Sequence, residues 1–156
     1  MSSHTPENVR DLLELAARAL DLPDASGVSQ GRQFDLEGIT CQFDLLPTRR
    51  ALMISCDIGD PLPGCELEVY RHWLELQQVF IGEVDASFVR DPVANRHLFT
   101  VRLPWPVNDQ TASLANAVRA CVDQVRRWQS TLLQGLLVDH ERELERLIGA
   151  DRSEPA

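Results

Sequence analysis

Four histidines, four cysteines and clustered carboxylates are the side chains of this sequence that could bind a metal or catalyse a reaction. Cys65 and His72 are seven residues apart, and such a pair could contribute sulfur and nitrogen ligands to a metal. However, His72 falls on the polar side of an apolar helix, and His97 lies next to a turn. Solvated histidines are far commoner than metal ligands at such positions, so both are interpreted as surface residues.

The remaining polar patterns also fall short of a catalytic or metal-binding motif. His140 and Glu141 lack the second histidine of a zinc-protease motif, and Asp57 and Asp60 lack further oxygen ligands at calcium spacing. No GxSxG, P-loop or GxGxxG segment occurs. Acids and arginines alternate near the C-terminus, as on a solvated helix face: Asp139, Glu141, Arg142, Glu143, Glu145 and Arg146. The sequence therefore predicts no catalytic residue, no metal and no cofactor, and a protein that is not an enzyme.

The charge of the chain narrows the class of its partner. The chain has 156 residues, which favours one domain, and a net charge of −9. Residues 35–91 carry 11 acids and 4 arginines, so most of the excess acid lies in this part of the chain. Nucleic-acid binding needs a basic face and is therefore not expected, whereas a basic polypeptide would suit an acidic surface.

The spacing of the cysteines, together with the lack of a secretory signal and of a membrane-spanning segment, predicts where in the cell the protein is located. Neither a secretory signal nor a run of about 18 apolar residues occurs, so neither secretion through a leader nor membrane insertion is expected. Cysteines without CxxC or zinc-finger spacing indicate a cytosolic protein with reduced thiols. They are interpreted as small core residues: Cys41, Cys56, Cys65 and Cys121.

The segment Cys65–Ile81, here called the central helix, has two apolar stripes at helical spacing. Together they cover roughly half of the circumference, more than the ~100° arc that a surface helix usually buries. Such a helix can be buried in a monomer, or it can pack on the core with one stripe and on a second copy with the other. The second alternative is favoured, and either stripe could face the partner. The predicted dimer interface therefore includes residues of both stripes: Leu67, Val69, Tyr70, Trp73, Leu74, Leu76 and Phe80.

The patterns on either side of the central helix predict the fold class. A helix over Thr5–Leu22 and a loop over Asp24–Arg32 come first, and a long helix from Asn108 or Asp109 to Leu132 comes last. Alternating apolar residues predict strands at Phe34–Leu36, Ile39–Leu45, Leu52–Ile58, Val84–Phe88 and Phe99–Leu103. The order α-β-β-β-α-β-β-α predicts an α+β fold, with one antiparallel sheet and helices packed on it.

The C-terminal part of the chain is predicted to extend this domain. Gly135 interrupts the helical pattern, and a second amphipathic piece follows it. Residues 1–148 are therefore interpreted as a single domain, with a C-terminal helical extension over residues 135–148. Residues 149–156 are predicted to form a disordered tail.

This arrangement resembles the class I type III secretion chaperones, the Tir-like and Syc-like effector chaperones of Gram-negative bacteria. The most similar stretch is Ile81–Trp105. It has a helix that ends in apolar-apolar-Gly, a short strand, an Asp-containing turn and a strand that ends in Leu-Pro: Phe80-Ile81-Gly82, Ala86-Ser87-Phe88, Asp91-Pro92 and Leu103-Pro104. The likeness spans about residues 6–130. Leu76-Gln77-Gln78-Val79 stands where the family often has an asparagine, and the chain beyond Gly135 is longer than in a typical member.

The resemblance implies a homodimer, formed through the central helix, that binds the non-globular N-terminal segment of one or more secreted effectors. Such a chaperone works in the bacterial cytoplasm, keeps its clients soluble and secretion-competent, and delivers them to the secretion apparatus of a virulence system. It uses no nucleotide, and contact with the secretion ATPase stays open. The resemblance places client binding on the first helix and first strand, at Val9, Leu12, Leu13, Ala16, Phe34 and Leu36.

Two other functions stay open at this point. A regulatory adaptor would bind a folded protein partner instead of an extended segment, and binding experiments with peptides of different lengths would separate the two. A small enzyme or small-molecule carrier would need a pocket that no motif reveals. A ligand carried through purification would indicate that third function.

Overall fold

A computed structural model describes residues 6–46, 51–104 and 110–151. Five strands form one antiparallel sheet in the order β1-β2-β3-β5-β4, namely β1 (Phe34–Leu36), β2 (Ile39–Leu46), β3 (Ala51–Asp57), β4 (Ala86–Asp91) and β5 (Arg96–Pro104). The α-helices within these residues are α1 (Pro6–Ala19), α2 (Ala25–Ser29), α3 (Glu66–Phe80), α4 (Gln110–Ser130) and α5 (His140–Asp151). This architecture confirms the predicted α+β class with one antiparallel sheet and packed helices.

Alternation along the strands separates an apolar face of the sheet from a polar one. Phe43, Ile54 and Phe99 are fully buried and lie on the face covered by helices. Their strand neighbours on the opposite face include Gln42, which is half-buried, and Thr100, whose hydroxyl donates to the backbone carbonyl of Ser87. The alternation of apolar and polar residues in the sequence therefore corresponds to the two faces of the sheet.

The apolar run of α4 forms the centre of the core. Each residue that the sequence places on this stripe is buried, and α4 contacts α1, β2 and β3: Leu114, Val118, Cys121, Val125, Trp128 and Leu132. The buried face of α1 packs beside it. The capping residues predicted for these two helices, Thr5 and Asn108 or Asp109, lie outside the described residues.

The chain after α1 departs from the predicted boundaries. The helix ends at Ala19 rather than near Leu22, and Asp21 takes a positive φ of 57° in the turn that follows. The predicted loop contains the short helix α2, whose start is fixed by Asp24, since its carboxylate accepts from the backbone N–H of Gly27 at 3.1 Å. A helix of five residues is too short to show periodicity, so the sequence pattern missed it.

The end of the chain folds back over the central helix. A single 3₁₀ turn, Leu132–Gln134, follows α4, and Gly135 then takes a φ of 76°. A Cβ at Gly135 would lie 3.2 Å from the Cys65 Sγ, so a side chain here would combine an unfavourable φ with a tight contact to the residue that precedes α3. Helix α5 continues to Asp151, so residues 149–151 are helical where a disordered tail was predicted. Residues 152–156 lie outside the described part of the chain.

Three of the four cysteines are core residues, as predicted. Cys41 and Cys56 are directly opposite on β2 and β3, with their Sγ atoms 3.7 Å apart, and Cys121 is buried in α4. The hydrogen bond with Cys41 and burial raise the pKa of the Cys56 thiol well above its ordinary value. Cys65 differs, because it precedes α3 and is half-buried, with its thiol donating toward the Gln134 carbonyl at 3.9 Å.

Candidate functional site

One apolar stripe of α3 is left uncovered by the rest of the chain. Leu67 is 74% exposed, Leu74 is 69% exposed, and Ile81, just past the end of the helix, is 71% exposed. Tyr70 lies between them and is also exposed. Residues seven apart differ by only about 20° around a helix, so Leu67 and Leu74 point to the same side. This set, here called the exposed stripe, consists of Leu67, Tyr70, Leu74 and Ile81.

The other stripe of α3 is buried inside the protein. Val69, Leu76 and Phe80 are fully buried, and Trp73 is almost so. These four residues belonged to the predicted dimer interface, but they are part of the hydrophobic core, where α3 packs against β4, α5 and the turn that follows α4. The predicted interface therefore divides into a core half and an exposed half, and a second copy could contact only the exposed stripe extensively. The homodimer itself stays a prediction.

The two edges of the sheet differ in how open they are. Strand β1 has three residues, and among the described strands it pairs with β2 alone, so it forms one edge of the sheet, where an added strand could pair. Strand β4 forms the opposite edge, but the backbone N–H of Phe88 donates to the Gln77 side chain of α3 at 2.7 Å. A side chain of the central helix thus occupies part of the β4 edge.

An open depression of about 450 Å³ lies where α3 gives way to β4. It is lined by residues 81–87, which include the exposed Ile81 and the half-buried Val84. Its walls combine apolar side chains with the acids Glu83 and Asp85. This composition suits an apolar side chain that is carried on a basic or neutral polypeptide.

The predicted client-binding residues are mostly core residues in the protomer. Val9, Leu13, Ala16 and Phe34 are buried, while Leu12 and Leu36 are half-buried. The outer side of α1 instead exposes Leu15, which is 48% exposed. Leu15 is two residues from Leu13, about 200° around the helix, so the spacing already indicated that the two face opposite sides.

The two histidines predicted to be solvated are both buried. His97 is covered by rings, since its ring centroid lies 5.7 Å from that of Tyr70 and 5.2 Å from that of Trp73. Its Nε2 is 3.3 Å from the Tyr70 Oη, and its Nδ1 is 3.3 Å from the Asp60 carboxylate. These contacts hold Tyr70 at the border of the exposed stripe.

His72 is buried because α5 folds over it. Its ring lies edge-on to that of His140, with centroids 6.0 Å apart, and the Glu75 carboxylate is close to both. The same docking buries Glu143, which the alternation of charges had predicted to be solvated. Glu143 accepts from Gln124 of α4 and from Arg146 at 2.9 Å. Both corrections have one cause: a helix that is distant in sequence covers a locally polar face.

Comparison with known proteins finds similar structures but no similar sequence. Neither a family model nor a curated protein matches the chain. The ExsC–ExsE complex contains a chain that matches with a TM-score of 0.67 at 15% identity, covering 83% of this chain and 97% of that one. The HopA1–SchA chaperone–effector complex matches with a TM-score of 0.62 at 11% identity, covering 83% of this chain and 100% of that one.

A third match comes from the heterodimeric ExoU–SpcU complex of the type III secretion system of Pseudomonas aeruginosa. Its TM-score is 0.50 at 20% identity, over 79% of this chain and 94% of that one. This chain shares its fold with the chains matched in these three complexes, of which one is a chaperone–effector complex and one belongs to a type III secretion system. The resemblance inferred from the sequence is therefore confirmed at the level of the fold.

Among the described residues, three surfaces could receive a partner: the exposed stripe, the edge strand β1 and the depression beside β4. They are apolar or offer backbone hydrogen bonds, which are the features that extended polypeptides and second copies use. None of the helices described here is both long enough and apolar enough to cross a membrane.

Proposed function

We propose that this protein is a type III secretion chaperone of the bacterial cytoplasm. It would bind the non-globular N-terminal segment of one or more effector proteins, keep it soluble and deliver it to the secretion apparatus, where the secretion ATPase is the next partner to test. The observation that carries the proposal is the fold shared with chains of a chaperone–effector complex and a type III secretion complex. The function is one of binding, without catalysis or nucleotide.

The exposed stripe supports a homodimer as the working form. A two-fold axis would bring the same stripe of each copy together, since an isologous interface uses one patch twice. Burying a leucine side chain contributes about 1.5–3 kcal/mol, and each copy would bury Leu67 and Leu74 as well as Ile81. The stripe is thus a sufficient apolar centre for a dimer interface.

The client would contact the surfaces that remain open beside this dimer. An extended segment can pair with the outer edge of β1 and place apolar side chains against α1 and in the depression beside β4. Because Val9, Leu13, Ala16 and Phe34 are core residues, we reassign client contact to Leu12, Leu15 and Leu36. The net charge of −9 would favour encounter with a basic client.

The proposal is tested in two steps, starting with co-purification of the tagged chain from its native bacterium. Mass spectrometry identifies proteins that accompany it, and the N-terminal segment of each is then produced alone. We expect the segment to bind in calorimetry without ATP or metal, and to lose affinity when it is shortened to a single short peptide. A partner that binds only as a folded domain would indicate an adaptor instead, and a nucleotide requirement would contradict the proposal.

A pair of variants locates the client surface. Leu15→Asp adds a charge to the outer side of α1 and should speed dissociation of the client segment by about 10-fold or more, as expected for a central apolar contact. Val93→Asp introduces the same kind of change in the β4–β5 turn, at a residue that is 96% exposed, and serves as the control. If the client segment dissociates from both variants at the same rate, α1 is not part of the client-binding surface.

A further inference from the structure

We propose that His72, Glu75 and His140 form a binding site for a divalent transition-metal ion, with zinc as the ion they fit best. His72 and Glu75 are one turn apart on α3, and His140 is the first residue of α5. Two imidazole nitrogens and one carboxylate are a ligand set that zinc takes in proteins, usually with water in the fourth position. The site would link the central helix to the C-terminal extension.

Two of the three distances between the candidate ligand atoms are close to those of a tetrahedral site. The His72 Nδ1 lies 3.6 Å from the Glu75 Oε2, and the His140 Nε2 lies 3.5 Å from the same oxygen. All three ligand atoms lie within 4.8 Å of one another. Zinc–nitrogen and zinc–oxygen bonds of about 2.0–2.2 Å at tetrahedral angles separate neighbouring ligand atoms by roughly 3.3–3.6 Å. The two pairs that include Glu75 already have such a separation, and side-chain movements would bring the two nitrogens around an ion.

Two buried nitrogen atoms at this place have no hydrogen-bond partner among the described residues. They are the His72 Nδ1 and the His140 Nε2, and both are shielded from solvent. His72 as a whole is only 5% exposed. Buried polar atoms are nearly always paired, and both nitrogens lie close to one carboxylate oxygen, an arrangement that suits a shared cation. A cation between them would satisfy both nitrogens and the carboxylate at once.

Other contacts hold α5 in position for this role. The Asp139 carboxylate accepts from the backbone N–H groups of Glu141 at 3.1 Å and Arg142 at 3.2 Å, which fixes the start of the helix at His140. One turn later, Glu143 is bound by Gln124 of α4. His140 is thus presented to α3 independently of a metal, as an organised binding site requires.

The site would remain open to solvent on one side. Glu75 is about half exposed, whereas His72 is covered, so an ion could arrive from the side of the carboxylate. Among the described residues the cluster supplies three ligands, which leaves a fourth position for water. The bound ion would fasten α5 to α3 next to the exposed Leu74, and this gives the C-terminal extension a defined structural role.

Zinc titration of the full chain tests the site after treatment with a chelator and under reducing conditions. In calorimetry we expect one zinc ion per chain. Glu75→Gln and His140→Gln should each weaken binding by about 10-fold or more, since even loss of a group that only supports a ligand has effects of this size. Glu68→Gln, an exposed acid on the same helix outside the cluster, should leave the affinity unchanged. Glu75 is exposed enough that its variant should fold, which circular dichroism checks.

Two further readouts identify the ligands and the consequence. Cobalt bound at this site should show the weak visible bands of nitrogen and oxygen ligation without a sulfur-to-cobalt charge-transfer band. Zinc should also slow amide hydrogen exchange in α5 of the wild type and not in Glu75→Gln. The proposal is overturned if the wild type binds no zinc, if both variants bind as tightly as the wild type, or if the cobalt spectrum shows thiolate ligation.

Discussion

The indole of Trp73 stacks on the phenyl ring of Phe88, with ring centroids 5.4 Å apart and planes only 8° from parallel. Phe88 in turn contacts Trp128 of α4, with centroids 5.1 Å apart. The central helix, the edge strand β4 and the long helix α4 are thus joined through one aromatic chain. Trp73 belongs to the buried stripe of α3, so this contact joins that stripe to the core.

Removing the indole should therefore destabilise the whole domain. Trp73→Ala should lower the free energy of unfolding by about 3–5 kcal/mol, because it empties a large buried volume between α3 and β4. Denaturant unfolding at fixed protein concentration measures the change. Val93→Ala, at an almost fully exposed position, should stay within about 0.5 kcal/mol of the wild type. A loss below about 1 kcal/mol for Trp73→Ala would contradict this account of the core.

The exposed stripe should determine the oligomeric state. Wild-type protein at micromolar concentration should be a dimer in light scattering, and Leu74→Asp should shift it to a monomer because a carboxylate would be buried at the interface. Leu67→Asp should act in the same way, and Val93→Asp should remain dimeric. Circular dichroism separates dissociation from unfolding, since an obligate dimer would lose both together. A monomeric wild type would show that the exposed stripe does not form a dimer interface.

The close approach of Gly135 to Cys65 should make that glycine sensitive to substitution. Gly135→Ala places an L-residue at a φ of 76°, which costs about 1–2 kcal/mol, and adds a Cβ 3.2 Å from the Cys65 Sγ. Gly64→Ala is a matched control, because Gly64 has a similar φ of 91° with no atom near the added Cβ. Gly135→Ala should be the more destabilising of the two in denaturant unfolding. The difference should shrink when Cys65→Ala removes the sulfur.

The buried Cys56 thiol should make stability fall at high pH. The hydrogen bond with Cys41 and burial raise its pKa in the folded protein above the ordinary value of 9.0. Below pH 9.0 the folded and unfolded chains both keep this proton, so its contribution is complete there. At higher pH the unfolded chain releases the proton first, and stability falls by up to about 1.4 kcal/mol per pH unit until the folded thiol also titrates.

Unfolding measured under reducing conditions at about pH 8 and about pH 10 tests this linkage. The wild type should lose more stability between the two pH values than Cys56→Ala, which lacks the titrating group. Equal pH dependence of stability in the wild type and in Cys56→Ala would show that the Cys56 thiol is not linked to folding.

Thiol labelling of the folded protein checks the burial of the same residue. Cys65 should react before Cys56, because Cys65 is half-buried and Cys56 is completely covered.

The sequence alone determined those parts of the fold that repeat locally. The alternation of apolar residues predicted the five strands of the described sheet, although β4 begins at Ala86 and not at Val84. The stripe from Leu114 to Trp128 predicted the buried face of α4, and Leu132 is buried in the turn that follows. The sequence also indicated that the central helix has a wider apolar arc than a surface helix usually buries. These patterns are visible because a period of 2 is a property of a single strand and a period of 3.6 is a property of a single helix, and neither depends on the neighbouring elements. Short α2 lacked enough residues for such a pattern.

Only the tertiary structure decided which side chains are covered. The two stripes of the central helix look equivalent in sequence, but only the stripe that includes Trp73 is buried, where Trp73 stacks on Phe88 of β4. His72 and Glu143 read as surface residues because their neighbours in sequence are polar, yet α5 and α4 bury them. Of the client residues predicted on α1, Val9, Leu13 and Ala16 are core residues, while Leu12 is half-buried. Burial depends on contacts between elements that are far apart in the chain, and the local spacing of residues does not specify which of these elements pack together.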